Sequence, residues 1–226
     1  SFEYISETHP ETHPARFGSV AKLFGLDVAE VETASILEIG CGHGVNLLAL
    51  AAELPSARFL GVDISEAAIT DAKKLADELA LANIQFLQAD FEELRNREER
   101  FDYIIAHGVY SWVLPQKQNA LLEISSKLLN VNGAFYLSYN VYPGWHSRML
   151  IREILLMETA SLESRSKKVD HARGVLGALA FFWEKLDTPE AHSLVRQIEE
   201  LKDYPDWFLA HDLLGEVNLP LQSSEL

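Results

Sequence analysis

The fold is decided by the stretch Ile36-Leu37-Glu38-Ile39-Gly40-Cys41-Gly42-His43-Gly44-Val45-Asn46. An apolar run ends next to an acid, three glycines then alternate with other residues, and a helical pattern begins at once. Glycine allows backbone angles that other residues avoid, and it lets a ligand approach the main chain closely. A strand, a glycine turn and a helix N-terminus together form a corner that can bind a nucleotide-like cofactor. We therefore predict a cofactor site at this turn.

The spacing of the glycines narrows the class of cofactor. Gly40, Gly42 and Gly44 read G-x-G-x-G, whereas dinucleotide-binding turns usually read G-x-G-x-x-G. Val45 occupies the position of the third glycine in the dinucleotide form, and Glu38 precedes the first glycine by two residues. This pattern resembles the (D/E)-x-G-x-G-x-G motif of the class I S-adenosylmethionine (SAM) methyltransferases. The resemblance implies that the cofactor contacts Glu38, Gly40, Cys41, Gly42, Gly44 and Asn46. A tight turn without a ligand is the alternative.

Composition restricts the class of protein. A chain of 226 residues with 48% hydrophobic residues suffices for one sizeable domain or for one domain with an appendage. Cys41 is the sole cysteine, which excludes an intrachain disulfide and favours a reducing cytosol. We find neither a signal-peptide pattern at the first residues nor an apolar run long enough to span a membrane, and we expect a cytoplasmic protein.

The charge is strongly acidic. Lys and Arg number 19 against 34 Asp and Glu, which gives a formal net charge of −15. Nucleic-acid binding depends on Lys and Arg contacts to phosphates, so we expect no nucleic-acid partner. A basic or neutral substrate fits this charge better.

Apolar strands alternate with amphipathic helices in the first two thirds of the chain. The predicted strands are Ser35–Ile39, Arg58–Val62, Ile84–Gln88, Tyr103–Ala106 and Ala134–Ser138. The predicted helices between them are Val45–Leu54, a helix from a Ser65 cap to about Leu81, and Pro115–Leu129, and a turn follows at Asn132-Gly133. This order predicts a Rossmann-like α/β fold, a doubly wound and mostly parallel sheet.

The remainder of the chain is predicted to be helical. Residues 1–30 read as an N-terminal arm with a helix over Ala15–Leu26, whose predicted apolar face is Phe17, Val20, Ala21 and Phe24. Residues 31–145 form the predicted SAM-binding domain, and residues 146–226 a helical appendage. The helices predicted after residue 140 are Trp145–Leu162, Asp170–Leu186, Pro189–Leu201 and Asp206–Leu214.

Acids follow the second and third predicted strands. Asp63 lies where a carboxylate can accept hydrogen bonds from both hydroxyls of a ribose. Dinucleotide-binding enzymes place an acid at the same position, so Asp63 does not distinguish the two classes. A helix N-cap is the alternative role for Asp63. Ile64, the next residue, is a further predicted cofactor contact. In the methyltransferase class, Asp90 or a neighbouring backbone N–H faces the adenine and Phe91 lines its ring; a simple loop acid is the alternative for Asp90.

The loops after the fourth and fifth strands contain the most specific sequence motifs, His107-Gly108-Val109-Tyr110-Ser111-Trp112-Val113 and Ser138-Tyr139-Asn140. They resemble bacterial methyltransferases that carry a "methyltransferase regulatory domain". Further sequence motifs shared with that family are Thr12-His13-Pro14, Leu23-Phe24-Gly25-Leu26, Pro143-Gly144-Trp145, Arg148, Phe208-Leu209-Ala210-His211-Asp212 and Asn218-Leu219-Pro220. The resemblance extends over essentially the whole chain.

Members of that family include protein-lysine methyltransferases that modify outer-membrane proteins of obligate intracellular bacteria. The resemblance therefore implies N-methylation of protein lysine, with SAM as cofactor and S-adenosylhomocysteine as its product. Family members continue through a final strand hairpin and a regulatory domain, so we expect a truncated member whose sheet has five strands rather than seven. An open sheet edge would favour either a homodimer or a helix that covers the edge.

Four residues after these strands are predicted to act in catalysis: His107, Tyr110, Trp112 and Tyr139. Aromatic walls favour the neutral amine of a lysine and contact its ammonium, and His107 can accept a proton or contact the cofactor. Core packing is the alternative for Trp112 and Trp145, and a structural role is the alternative for His107. Tyr4 and His13 are predicted to cover the cofactor from the arm.

Two further expectations concern metal and thiol chemistry. The histidines show no metal-ligand spacing, so we expect no metal. Cys41 is expected to fill buried space rather than act as a nucleophile. Three other functions stay open at this point: a small-molecule methyltransferase, a SAM-binding module without catalysis, and an NAD-dependent oxidoreductase, which the glycine spacing disfavours.

Overall fold

The computed structural model describes residues 7–222 and residue 224. The chain divides into two compact units, and the division lies between Tyr139 and Asn140. Among the described residues, no helix combines the length and apolar character needed to cross a membrane. Tyr4, predicted to cover the cofactor, lies outside the described residues.

The first unit is built on a five-stranded sheet with the order β3-β2-β1-β4-β5. Its strands are Ser35–Ile39 (β1), Arg58–Asp63 (β2), Ile84–Gln88 (β3), Phe101–Ala106 (β4) and Leu129–Leu137 (β5). All neighbouring strands are parallel. In register, Glu38 of β1 lies opposite Gly61 of β2 and Ile105 of β4. The predicted parallel, doubly wound sheet is confirmed.

Four helices accompany this sheet, and each begins with a signal visible in the sequence. They are Pro14–Leu23 (α1), Val45–Glu53 (α2), Glu66–Glu78 (α3) and Pro115–Leu128 (α4). The predicted Ser65 cap is confirmed, because its side chain accepts a hydrogen bond from Ala68 N. Proline opens α1 and α4, where a missing backbone N–H costs nothing.

Separate apolar clusters cover the two faces of the sheet. Alternate residues of β1 supply them: Ile36 belongs to the cluster with α2 and α3, and Leu37 to the cluster with α4. Phe17 of α1 packs edge-on against Tyr103 of β4, with ring centroids 5.4 Å apart. The N-terminal helix therefore lies on the first of these faces.

Three local predictions were wrong. The helix predicted to reach Leu129 ends at Leu128, and Leu129 begins β5; the turn predicted at Asn132-Gly133 is a register shift within that strand. In α1, Val20 is 49% exposed, and Phe24, just after the helix, is 86% exposed, although both were predicted to be apolar contacts. Only Phe17 and Ala21 of that predicted face pack against the core.

The second unit is helical, as predicted. Its helices are His146–Thr159 (α5), Arg165–Trp183 (α6), Pro189–Lys202 (α7) and the single turn Asp206–Phe208 (α8), which continues as a π-helical turn over Leu209–Leu213. A separate cluster that includes Ile151, Leu176 and Ile198 forms its core. Arg152 is buried and donates to the main-chain oxygens of Asp212 and Gly215, which ties α5 to the end of the π-helical turn.

Candidate cofactor and active site

Residues from all five strand ends meet at one edge of the sheet, because the carboxyl ends of parallel strands point the same way. The chain order reverses between β1 and β4, and ligands of open α/β sheets bind at such a switch point. The glycine turn follows β1, Asp63 ends β2, and His107 follows β4. The structure thus places the predicted site residues along one edge.

The glycine turn has a shape that side chains would prevent. Gly40, Gly42 and Gly44 all have positive φ angles, of 76°, 52° and 72°. A Cβ on Gly40 would lie 2.4 Å from a methyl group of Val109, so the turn and the loop after β4 approach too closely for any other residue. The main-chain N–H of Gly40 donates to Val62 O, which fixes the turn against β2.

Asp63 connects the glycine turn to the start of α3. It is buried; one carboxylate oxygen accepts from Gly42 N at 2.9 Å, and the other accepts from Ser65 N at 2.8 Å. Each carboxylate oxygen has two lone pairs, so both can accept a further hydroxyl donor. The neighbouring Ile64 is 61% exposed, an apolar side chain available to a ligand.

Glu38 lies at the centre of a buried polar network. Its Oε1 accepts from Asn46 Nδ2 at 3.0 Å, and Asn46 also binds Thr12 Oγ1 and the His9 N–H. The other carboxylate oxygen, Oε2, is buried without a hydrogen-bond partner among the described residues. Burial, and to a lesser extent the charge of Asp63, raise the pKa of Glu38 to about 7, against the lowering effect of Asn46.

Cys41 lies between two of the glycines and is buried, as expected for a filler. Burial, followed by the charges of Glu38 and Asp63, raises the pKa of its thiol well above the usual range. A thiol that resists ionisation is a poor nucleophile. Its sulfur would lie 2.9 Å from a Cβ on Gly61, so it fills the space beside β2.

The buried Glu38 makes the stability of the cofactor-free protein depend on pH. An acid whose folded pKa lies above its unfolded value destabilises the folded state once ionised, so stability falls as pH rises from about 4.5 to about 7. This loss amounts to about 3 kcal/mol at ~1.4 kcal/mol per pKa unit. We expect Glu38→Gln to remove this loss, so that above pH 7 the variant is more stable than the wild type.

Urea unfolding between pH 5 and 8 measures this difference. Glu98→Gln is the matched control, since Glu98 is exposed in the same unit. A Glu38→Gln curve parallel to the wild-type curve over the whole range would show that the buried carboxyl does not titrate as described.

Asp90 and Phe91 hold the loop after β3 in place. Asp90 caps the 3-10 turn Phe91–Asn96 through Glu92 N and forms a reciprocal capping box with Glu93. It also pairs with Lys117 of α4; burial alone would raise the pKa of Asp90, but the hydrogen bond from Lys117 lowers it below its usual range. Phe91 is buried in the core cluster on the α4 face.

The loops after β4 and β5 contact each other through a hydrogen bond and a pair of aromatic rings. Gly108 N donates to Ser138 Oγ at 2.8 Å, and the Tyr110 and Tyr139 rings meet edge to face with centroids 6.2 Å apart. Trp112 is half-buried in the same loop. The structure therefore brings together Tyr110 and Tyr139, whereas Trp145 lies in the second unit.

His107 is half-buried at the end of β4. Its ring lies 4.1 Å from that of His9, and its Nδ1 is buried without a hydrogen-bond partner among the described residues. Burial, and next the neighbouring His9, lower the pKa of His107 below its usual range. His13, the other histidine of the arm considered for the site, caps α1 by accepting from Ala15 N.

Sequence reasoning missed three residues that shape this edge: His9, Thr12 and Lys117. His9 and Thr12 contact Asn46 across more than thirty residues, and Lys117 reaches Asp90 across 27. Such contacts leave no periodic signal. The one sequence signal in this part of the arm was the motif Thr12-His13-Pro14, which is shared with the resembled family.

Comparison with known proteins places this geometry in a family. Residues 30–202 match a family model described as a methyltransferase domain. The chain belongs to this methyltransferase-domain family. The structure is similar to that of PKMT2 from Rickettsia typhi in complex with AdoHcy, with a TM-score of 0.86 and 36% identity over 96% of this chain and 42% of that one.

Two uncharacterised proteins of Rickettsia prowazekii (strain Madrid E) are also similar. RP028 is 37% identical over 95% of this chain and 86% of its own length. RP789 is 35% identical over the same share of this chain but 39% of its own length. This methyltransferase domain thus spans less than half of some relatives. The predicted class I, SAM-dependent methyltransferase fold is confirmed.

The residues of the sheet edge fit S-adenosylmethionine. The turn leaves no room for a Cβ at Gly40 or Gly44, Asp63 retains free acceptor positions, and Glu38 has a buried oxygen without a hydrogen-bond partner among the described residues. The cofactor supplies a methyl group activated on a sulfonium. We propose that S-adenosylmethionine contacts the glycine turn and five further residues, Asp63, Ile64, Asp90, Phe91 and His107.

Proposed function

We propose that this methyltransferase domain methylates the side-chain amine of protein lysine. The observation that carries the proposal is the pair of tyrosines, Tyr110 and Tyr139, which meet edge to face where the chain leaves the carboxyl ends of β4 and β5. Tyrosine faces attract an ammonium group and exclude water from it. An aromatic wall at this edge suits an incoming lysine.

An amine must lose its proton before it can accept a methyl group, and the unperturbed lysine pKa is ~10.4. Transfer from water to a wall of aromatic rings favours the neutral amine. The ring of His107 is half-buried at the end of β4, and an imidazole nitrogen is a group that can accept a hydrogen bond from such an amine. The chain's own contribution is thus to hold the amine in line with the methyl carbon and the sulfonium sulfur, and to keep the amine uncharged.

Two further findings support this acceptor. The net charge of −15 favours a cationic substrate over an anionic one. The similarity to PKMT2 from Rickettsia typhi covers 96% of the chain, in agreement with the resemblance to protein-lysine methyltransferases. The PKMT2 chain is longer than this one, so the acceptor protein and the activity of the whole protein remain part of the proposal.

Transfer of a labelled methyl group to unfolded outer-membrane proteins tests the acceptor. The same proteins with acetylated lysines serve as the matched substrate, and mass spectrometry of peptides locates the methyl groups. We expect labelling at lysine that acetylation abolishes. Labelling that survives acetylation, or that appears only on small amines, would contradict a protein-lysine acceptor and favour a small-molecule methyltransferase.

The tyrosine pair makes a second prediction. Tyr110→Ala and Tyr139→Ala are each expected to lower kcat roughly tenfold or more, equivalent to ~1.4 kcal/mol of transition-state stabilisation, with little change in the Kd for S-adenosylhomocysteine. Tyr110→Phe and Tyr139→Phe keep the ring and are expected to retain most activity. Binding of S-adenosylhomocysteine without transfer to any acceptor would instead indicate a SAM-binding module without catalysis.

A further inference from the structure

Three potential metal ligands lie together beside the active site although they are far apart in sequence. One ring nitrogen each of His9 and His107 and a carboxylate oxygen of Glu11 lie within 4.8 Å of one another. His9 Nδ1 is 3.8 Å from Glu11 Oε1, and the two imidazole rings are 4.1 Å apart with an angle of 32° between their planes. The spacing of these three residues matches no metal-binding motif, so the group cannot be recognised from the sequence.

The N-terminal part of the cluster is held in place by its backbone. His9 N donates to Asn46 Oδ1 at 2.9 Å, and Thr12 donates to His9 O through both its backbone N–H and its hydroxyl. Asn46 Nδ2 in turn donates to Thr12 Oγ1 at 3.0 Å. The turn that carries His9 and Glu11 is therefore anchored to α2, and ligand binding need not order it.

A second observation independently indicates a missing partner. Nδ1 of His107 is buried and has no hydrogen-bond partner among the described residues. Buried polar atoms are normally paired, and an unpaired one costs about 1–3 kcal/mol. Neither His9 nor Glu11 forms a hydrogen bond with this atom, and the Glu11 carboxylate lies 3.8 Å from Nδ1 of His9.

We propose that His9, Glu11 and His107 form a binding site for a zinc ion. Two imidazoles and one carboxylate are a ligand set that Zn²⁺ uses, with a fourth position left to water or another ligand. Mg²⁺ and Ca²⁺ prefer oxygen ligands throughout, so the two nitrogens disfavour them. Other histidine–acid pairs of the described chain, such as His171 with Glu158 at 3.9 Å, belong to no such three-residue group.

Zinc at this site would have a consequence for activity. A nitrogen of His107 would be occupied by the metal, and the turn His9–Thr12 would be tied to the end of β4. Zinc should then inhibit methyl transfer reversibly. This consequence rests on the proposed function, whereas the binding site itself does not.

Titration of the metal-free chain with zinc chloride by calorimetry tests the site directly. We expect one zinc per chain with micromolar affinity, and His9→Gln and Glu11→Gln should each weaken it roughly tenfold or more. His171→Gln is the matched control, because it removes a histidine from a histidine–acid pair elsewhere, and it should leave the affinity unchanged. Circular dichroism verifies that each variant is folded.

Cobalt provides a second readout that does not depend on activity. Co²⁺ bound to a four-coordinate site absorbs strongly in the visible range, and we expect this band in the wild type and its loss in His9→Gln. No zinc binding at micromolar concentrations, or equal weakening by His171→Gln, would overturn the site. Retained inhibition by zinc in a folded Glu11→Gln variant would overturn its link to activity, and an absence of transfer in every variant would count only against the proposed function.

Discussion

Asp63→Ala is expected to weaken the binding of S-adenosylhomocysteine by roughly tenfold or more, equivalent to ~1.4 kcal/mol. Asp63 ends β2 beside the glycine turn, where its carboxylate can accept the hydroxyls of a ribose. Charged acceptors make stronger hydrogen bonds than neutral ones, because the charge strengthens the attraction to the donor. Loss of this group removes the most specific polar contact that we propose for the cofactor.

The structure adds a second reason for a large effect. Asp63 already accepts hydrogen bonds from Gly42 N and Ser65 N, and it is 5% exposed. Alanine would leave the Gly42 N–H unpaired in a buried place, which costs about 1–3 kcal/mol. The glycine turn should therefore loosen even without cofactor, and affinity and stability should fall together.

Calorimetric titration and urea unfolding separate the two contributions. Asp63→Asn keeps an acceptor for one backbone N–H but loses the charge, so we expect it to recover more stability than affinity. Asp77→Ala is the matched control, because Asp77 is an exposed acid on α3. Wild-type affinity in Asp63→Ala would show that Asp63 acts only as a support for the turn.

The fold could be predicted because its signals are local. Each strand of the sheet contains a short apolar run, and the helices α2, α3 and α4 begin with the glycine turn, a serine cap and proline, respectively. Parallel order then follows from alternation, since strands joined through helices pair in parallel. Asp63 could be found because it lies at a fixed place relative to such a strand, at its end.

The details that failed depend on tertiary contacts. Leu129 and Asn132-Gly133 look like a helix end and a turn, but pairing with β4 incorporates them in β5 with a register shift. Phe24 continues the apolar period of α1, yet the helix ends at Leu23 and the ring is left exposed. Periodicity indicates a possible buried face and does not show where the neighbouring surface ends.

The site could be predicted only in part for the same reason. Gly40, Gly42 and Gly44 are recognisable because their backbone angles require glycine. The approach of His9 to His107 joins segments 98 residues apart and needs the anchor at Asn46. Nothing in the composition or spacing of the arm encodes that contact, so only the folded chain reveals it.

Gly44→Ala is expected to be among the most damaging single changes in the first unit. Gly44 has a φ of 72°, and a Cβ there would lie 2.6 Å from the Phe86 ring and 3.1 Å from Ala72 Cβ. The left-handed backbone costs about 1–2 kcal/mol for a residue with a Cβ, and overpacking a buried ring adds about 1–3 kcal/mol. We expect the free energy of unfolding to fall by about 2–5 kcal/mol and cofactor affinity to fall with it, because this residue ends the glycine turn.

A matched glycine and a second-site change isolate the steric part of this loss. Gly25 also has a positive φ, of 88°, but a Cβ there meets nothing within 4 Å, so Gly25→Ala should show the backbone cost alone. Phe86→Leu shortens the side chain that blocks Gly44, and combining the two changes should cost less than their sum, since residues in contact are energetically coupled. Equal losses in Gly44→Ala and Gly25→Ala, with additive behaviour in the double variant, would contradict close packing of the turn against β3. The expected coupling would instead establish that the cofactor turn owes its shape to a core residue of the neighbouring strand, and not to the glycines alone.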